Sequence, residues 1–300
     1  MKKGVLAVVA ASFLYGIMPI FTKKVLMEGM TSGSIVFYRL FFSAVVSFII
    51  LKATSADISV SREQFAHLSI FGIIGFGATM ALLTVAYSLI PTGLATMLHF
   101  TYSLFVTIVM AVAFREKLSI FKVLSCLCAL GGLALMADFS RLSVAGILLA
   151  VGSGITYSCY VIANRKSSFS NLPGMVIVFY VSSVAAVFFG IKAIITKEFM
   201  LPKNALCLGL LLIIAIFCTI TTLYLLTYGI KTLGASNASV LNMLEPVISL
   251  VAGIIIYKES VSLLGIIGAV LVVLSGLAVA FDSMNSEPRV KIHINTQRYR

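Results

Sequence analysis

The stretch Ile35-Val36-Phe37-Tyr38, "IVFY", returns as Ile177-Val178-Phe179-Tyr180, and 177 − 35 gives an offset of 142, close to half of the 300 residues. In a chain that is 60% hydrophobic, four matching letters carry little weight alone. The surroundings add to it. The same shift sets "GVLAVVAASFLYGIMPIFTKK" over "GILLAVGSGITYSCYVIANRK", with Gly4 on Gly146 and Tyr15 on Tyr157. Further along, Tyr87 and Gly93 fall on Tyr228 and Gly234 at offset 141, Glu116 on Glu259 at offset 143, and Gly132 on Gly276. The anchors keep their order and the offset drifts by one or two. The chain reads as two copies of one unit.

Composition says what the unit is made of. Only 11% of residues are charged, where a soluble domain has about a quarter. Such a chain cannot cover its surface with polar groups. A bilayer-spanning helix takes roughly 20 apolar residues, and runs of that length fill almost the whole sequence. Ten spans are predicted, near Gly4–Thr22, Gly33–Leu51, Ala66–Leu89, Gly93–Phe114, Ile120–Ala137, Val144–Ala163, Gly174–Ile195, Ala205–Ile230, Ala235–Tyr257 and Leu263–Phe281. The short alternating segments of a membrane β-barrel are absent. The expected fold is therefore an all-α integral membrane protein. Residues 1–138 form a first five-helix repeat, 144–282 a second, and 283–300 a basic tail.

Five is odd, so the second copy starts from the opposite side of the bilayer. The repeats are then inverted about an axis in the membrane plane, the arrangement of alternating-access carriers with a site near the midplane. Lys and Arg number fourteen on the side of the amino terminus and seven on the other, with Arg39 set aside inside a span. By the positive-inside rule both termini are cytoplasmic, in a cell membrane. The net charge of +12 then serves the inner lipid surface and not nucleic acid. The start "MKKGVLAVVAAS" looks like a signal peptide, but its recurrence as span six speaks against cleavage. The five cysteines lie inside spans and read as buried apolar residues, not as disulfides or metal ligands. No P-loop, no paired carboxylates and no Ser–His or metal spacing appears, so neither a pump, an enzyme nor a cofactor is expected. A channel is a weaker alternative, since no filter-like loop is visible.

Intramembrane polar groups are costly and mark candidate sites. Glu245 is the only acid deep in a span and His99 the only deep histidine. The repeat aligns His99 with Asn242 and Tyr102 with Glu245, three residues apart in each copy, so each pair shares a helix face. These four are expected to line a central cavity and to bind substrate or carry a coupling proton. Two readings stand beside that one: Glu245 as an acid that steadies the kink of Pro246, and His99 as an ordinary helix–helix hydrogen-bonding residue. Arg39 reads either as a cation snorkelling to the outer surface or as a counter-ion for a substrate carboxylate near the outer mouth. Tyr15, Tyr38, Tyr157 and Tyr180 are candidates for a pocket wall, with Tyr224 and Tyr228 behind them. Pro19 and Pro246 are candidate hinges. Gly131-Gly132, Gly265, Gly268 and Gly276 suit close helix packing and a possible homodimer.

Several stretches resemble the drug/metabolite transporter superfamily of the EamA type. They are "VFYRLFFSA", "FREKLS", the block "NASVLNMLEPVISLVAGIIIYKESVSLLGIIGAVLVVLSG" and the glycine-rich fifth and tenth spans. The resemblance covers nearly the whole chain. It implies transport of a small organic solute, often export of amino acids or related metabolites. The family pattern has Pro in span four as well, where this chain has Ser103 opposite Pro246. Span four is therefore expected to be straighter than span nine.

Overall fold

The computed structural model describes residues 1–90, 92–116, 120–137, 142–257 and 261–285. Among them lie ten apolar helical units. They are α1 (Lys2–Met27), α2 (Ser32–Ala53), α3 (Arg62–Ile70, Phe71–Gly77 and Ala78–Leu89 end to end), α4 (Thr92–His99 and Tyr102–Val112), α5 (Ile120–Met136), α6 (Val144–Lys166), α7 (Gly174–Ile195), α8 (Ala205–Ala215, Ile216–Thr221 and Thr222–Leu233), α9 (Ala235–Asn242 and Glu245–Tyr257) and α10 (Leu263–Asn285). Nine are long and apolar enough to cross a membrane, and Ile120–Met136 is a shorter apolar tenth of 17 residues. The tail beyond Asn285, together with Lys117, Lys258 and Glu259, lies outside the described residues.

The repeat shows directly in how helices pair. α2 packs on α7 and α5 on α10, each helix against its own repeat mate; α1 on α8 answers α6 on α3. In the α2–α7 pair a Cβ on Gly190 would sit 3.0 Å from the Phe37 ring, and the Phe48 and Phe179 rings lie 5.6 Å apart. Shifting Phe37 and Phe48 by the repeat offset gives Phe179 and Gly190. Positions ascending α2 meet positions descending α7, so the mates run antiparallel and the repeats are inverted. The fold is ten membrane helices in two inverted five-helix repeats.

Where α5 crosses α10 the backbones touch: a Cβ on Gly132 would meet the Gly268 carbonyl oxygen at 2.5 Å, whereas one on Gly131 meets nothing within 4 Å. Small residues let membrane helices approach like this. Gly132→Leu must push the helices apart, at about 1–3 kcal/mol for overpacking. We expect a lowered melting temperature in detergent for Gly132→Leu and none for Gly131→Leu; equal behaviour of the two would contradict the contact.

Two kinds of irregularity are duplicated with the repeat. Helices α4 and α9 both break at mid-span. In α9 the Met243 and Leu244 amides reach back only three residues, to Val240 (3.1 Å) and Leu241 (3.2 Å). In α4 Thr101 and Ser103 do the same, to Leu98 (3.2 Å) and Phe100 (3.1 Å). The expectation that α4 is straighter for want of proline is therefore corrected: the break does not depend on it. Pro246 occupies the first turn of the second half-helix, where its missing N–H costs little. By contrast α1 runs unbroken through Pro19, which is exposed. Helices α3 and α8 each contain a π-helical segment, Phe71–Gly77 and Ile216–Thr221, which overlap under the repeat offset but are shifted by about one turn. In the second, the Thr219, Thr221 and Thr222 hydroxyls donate to carbonyls five residues back, at 2.9–3.0 Å.

Candidate functional site at the two helix breaks

A tightened turn leaves carbonyls without their usual amide, and in a bilayer each needs a partner. Because the Met243 amide goes to Val240, the Ser239 carbonyl is freed. It accepts instead from Ser103 Oγ (2.8 Å) and Tyr102 OH (3.4 Å), both on α4. The break in one repeat is thus satisfied by the helix that carries the break in the other. Ser103 stands where the second repeat has Pro246, so the residue that departs from the repeat pattern is the one that makes this bond.

Asn242, at the end of the first half of α9, is the hub of the site. Its Nδ2 donates to Tyr102 OH (3.1 Å) and, at a long 3.4 Å, to Glu245 Oε2. Its Oδ1 accepts from Ser12 Oγ of α1 (3.2 Å). Glu245 opens the second half of α9, where the positive end of the helix dipole favours an acid. Its side chain is half-buried while Asn242, Tyr102 and Ser12 are buried. Glycine lets α1 close on this point: a Cβ on Gly16 would lie 2.8 Å from the Glu245 carbonyl oxygen. On the other side Gly154 of α6 does the same for the α4 break, 2.7 Å from the His99 carbonyl oxygen.

Arg39 does not snorkel. It is 8% exposed and turned inward, its Nε donating to Thr219 Oγ1 of α8 (2.7 Å). The π-helical turn makes this possible, because the Thr219 hydroxyl spends its own proton on the Ile214 carbonyl (3.0 Å) and is left as an acceptor. The two terminal amino groups of the guanidinium have no hydrogen-bond partner among the described residues. Neither a hydrogen bond nor a contact ion pair joins Arg39 to Glu245.

Aromatic rings flank the hub. Tyr102 and Tyr157 meet edge to face at 4.8 Å, and the His99 ring lies 5.4 Å from each. His99 Nδ1 is within 3.0 Å of Ser153 Oγ on α6, so the histidine makes the ordinary helix–helix bond and is joined to the hub only through ring contacts. Tyr15 and its mate Tyr157 are both buried at the centre. Tyr38 and its mate Tyr180 are not there. Tyr38 packs with Val25, Met30 and Cys207 in a separate cluster, and Tyr180 OH donates to the Ile58 carbonyl (2.9 Å) in the loop after α2. The cause is topological: α1 and α6 pack on the breaks, whereas α2 and α7 pack on each other at the edge. Tyr224 and Tyr228 face outward. So do Cys128 and Cys159, against the expectation of buried cysteines; Cys126, Cys207 and Cys218 are buried. Glu116 pairs with Lys122 at 3.5 Å.

The site candidates read from the sequence omit Ser12, Ser153 and Thr219, because rare residue types weigh most there, and Ser103 enters only as the place of a missing proline. Ser12 lies three residues before Tyr15 on one helix face, a usable signal; Thr219 stands among three threonines in an apolar helix. Among the described residues no group of three or more His, Cys, Asp or Glu is placed to hold a metal ion.

Comparison with known proteins agrees with this architecture. The model of the EamA-like transporter family matches twice, over residues 2–137 and 144–281. An uncharacterized transporter of Synechocystis is 27% identical over 254 residues, 81% of this chain and 76% of that one. Another from Archaeoglobus fulgidus is 23% identical, over 94% of this chain and 97% of its own. A solved crystal structure shares the fold with a TM-score of 0.81 at 19% identity, covering 94% of this chain and 98% of that chain. With both halves matched by one family model, and with relatives that carry the name of transporters, the chain belongs to the EamA-like transporter family.

Proposed function

We propose that this transporter moves a small amphipathic metabolite that carries both a carboxylate and an amine, as amino acids do, by alternating access across the cell membrane. Both termini then face the cytoplasm, and net export is the direction that the family resemblance implies. The observation that supports the reading is a buried Arg39 with unused terminal donors, beside a half-buried acid, Glu245, that it does not contact. A buried charge is retained at high cost unless it is paired. The solute carboxylate takes the free donors of Arg39, a geometry that suits a planar guanidinium. Its ammonium group faces Glu245, and Tyr15, Tyr102 and Tyr157 wall the apolar part. Glu245 is also the group that carries a coupling proton when the solute is absent. The breaks in α4 and α9 give each repeat a joint at the depth of the site, as rocking of one repeat against the other requires. A facilitative carrier without proton coupling is the second reading. It is favoured by the Asn242–Glu245 hydrogen bond, which gives the acid a structural partner. The experiment is flux of labelled zwitterionic amino acids, monocarboxylates and amines into proteoliposomes. Saturable flux of the zwitterions alone supports the two-pole site; equal flux of monocarboxylates and amines overturns it.

A further inference from the structure

Away from the centre, the contact between α2 and α7 leaves an apolar groove of about 550 Å³ on the membrane-facing surface. Its ten lining residues are five repeat pairs at the offset of 142, so the groove straddles the axis that relates the repeats. Two pairs are unequal. Phe41 and Phe48 on α2 correspond to Ser183 and Gly190 on α7, and the missing aromatic bulk on α7 hollows that wall. From Phe37 to Phe48 the groove runs about 16 Å along α2 at 1.5 Å per residue. That is about half of the roughly 30 Å hydrocarbon core, the length of one leaflet's acyl chain. One turn beyond Phe48, exposed Lys52 holds its ammonium 5.6 Å from the Phe48 ring centroid. A cation thus stands at headgroup depth at the end of an apolar channel. The same membrane face bears the excess of Lys and Arg counted in the sequence, the face expected against the anionic leaflet.

We infer that this groove is a binding site for an anionic phospholipid, with one acyl chain lying between α2 and α7 and the phosphate on Lys52. The inference does not depend on which solute is transported. A bound lipid here fills the seam on which the two repeats meet, so it belongs to the folded carrier and not to the exchanging annulus.

The test is native mass spectrometry of the protein released from vesicles of equal phosphatidylglycerol and phosphatidylcholine. Wild type is expected to retain one phosphatidylglycerol. Val187→Phe, at an exposed position of the groove, and Ser183→Phe, which restores the aromatic of the first repeat, are each expected to cut that retention at least tenfold. Lys52→Gln is expected to keep a lipid but lose the preference for phosphatidylglycerol. Val270→Phe, in the smaller groove between α9 and α10, is the control and should retain lipid as wild type does. Val187→Phe and Lys52→Gln alter exposed side chains, so both report even where Ser183→Phe fails to fold. Undiminished phosphatidylglycerol in Val187→Phe, or equal loss in Val270→Phe, overturns the inference. Conversion of a dimer to a monomer by Val187→Phe without any retained lipid also overturns it, making the face a protein interface.

Discussion

Arg39→Gln is expected to abolish saturable solute flux while the protein still inserts into the membrane. The guanidinium is buried and, among the described residues, has a single hydrogen-bond partner, Thr219. Its terminal donors are the only described cationic donors that the centre offers to a solute carboxylate. Removing one partner of a buried charge pair costs roughly 3–5 kcal/mol, which is more than about a hundredfold in apparent affinity. Glutamine keeps a donor for Thr219 and loses the charge. Arg39→Lys keeps the charge but not the planar fork, so partial flux with a raised KM is expected from it. A purely structural Arg39 gives a different pattern: a lowered melting temperature for both variants and an unchanged KM for whatever flux remains. Flux in reconstituted vesicles, with melting measured on the same preparations, separates the two.

Glu245→Gln is expected to uncouple flux from protons without unfolding the site. The amide is the same shape as the acid, and its carbonyl oxygen still accepts from Asn242 Nδ2. What it lacks is a proton to give or take. One proton exchanged per solute makes a gradient of one pH unit worth about 1.4 kcal/mol, about tenfold accumulation. Wild-type vesicles should show that accumulation, and the variant should only equilibrate the solute. Accumulation by the variant at the wild-type level would leave Glu245 as a residue that steadies the α9 break and nothing more.

Much of the fold was legible because inversion is arithmetic. A duplicated unit with an odd number of spans must turn over, and "IVFY" on both copies located the very seam where α2 and α7 pack. The same symmetry picks out His99/Tyr102 and Asn242/Glu245, which flank the two breaks, although the break in α4 itself is not expected from the sequence. It failed where the repeats differ. Ser103 looked like the loss of a proline, yet it is the donor that satisfies the Ser239 carbonyl. Arg39 reads from the sequence either as a snorkelling cation or as a counter-ion, because its distance from the helix end permits both. Its inward turn depends on a π-helical acceptor in α8, which no periodicity in "IFCTIT" reveals. Tyr38 and Tyr180 matched as well as Tyr15 and Tyr157 do, and only packing distinguishes edge helices from central ones.

The most direct test of a central two-pole carrier site is uptake of labelled zwitterionic amino acids by proteoliposomes of the purified protein, with and without an imposed pH gradient. Saturable uptake that the gradient drives, that monocarboxylates and simple amines do not share, and that Arg39→Gln removes is the expected result. Saturable uptake indifferent to the charge of the solute and unchanged in Arg39→Gln would contradict it.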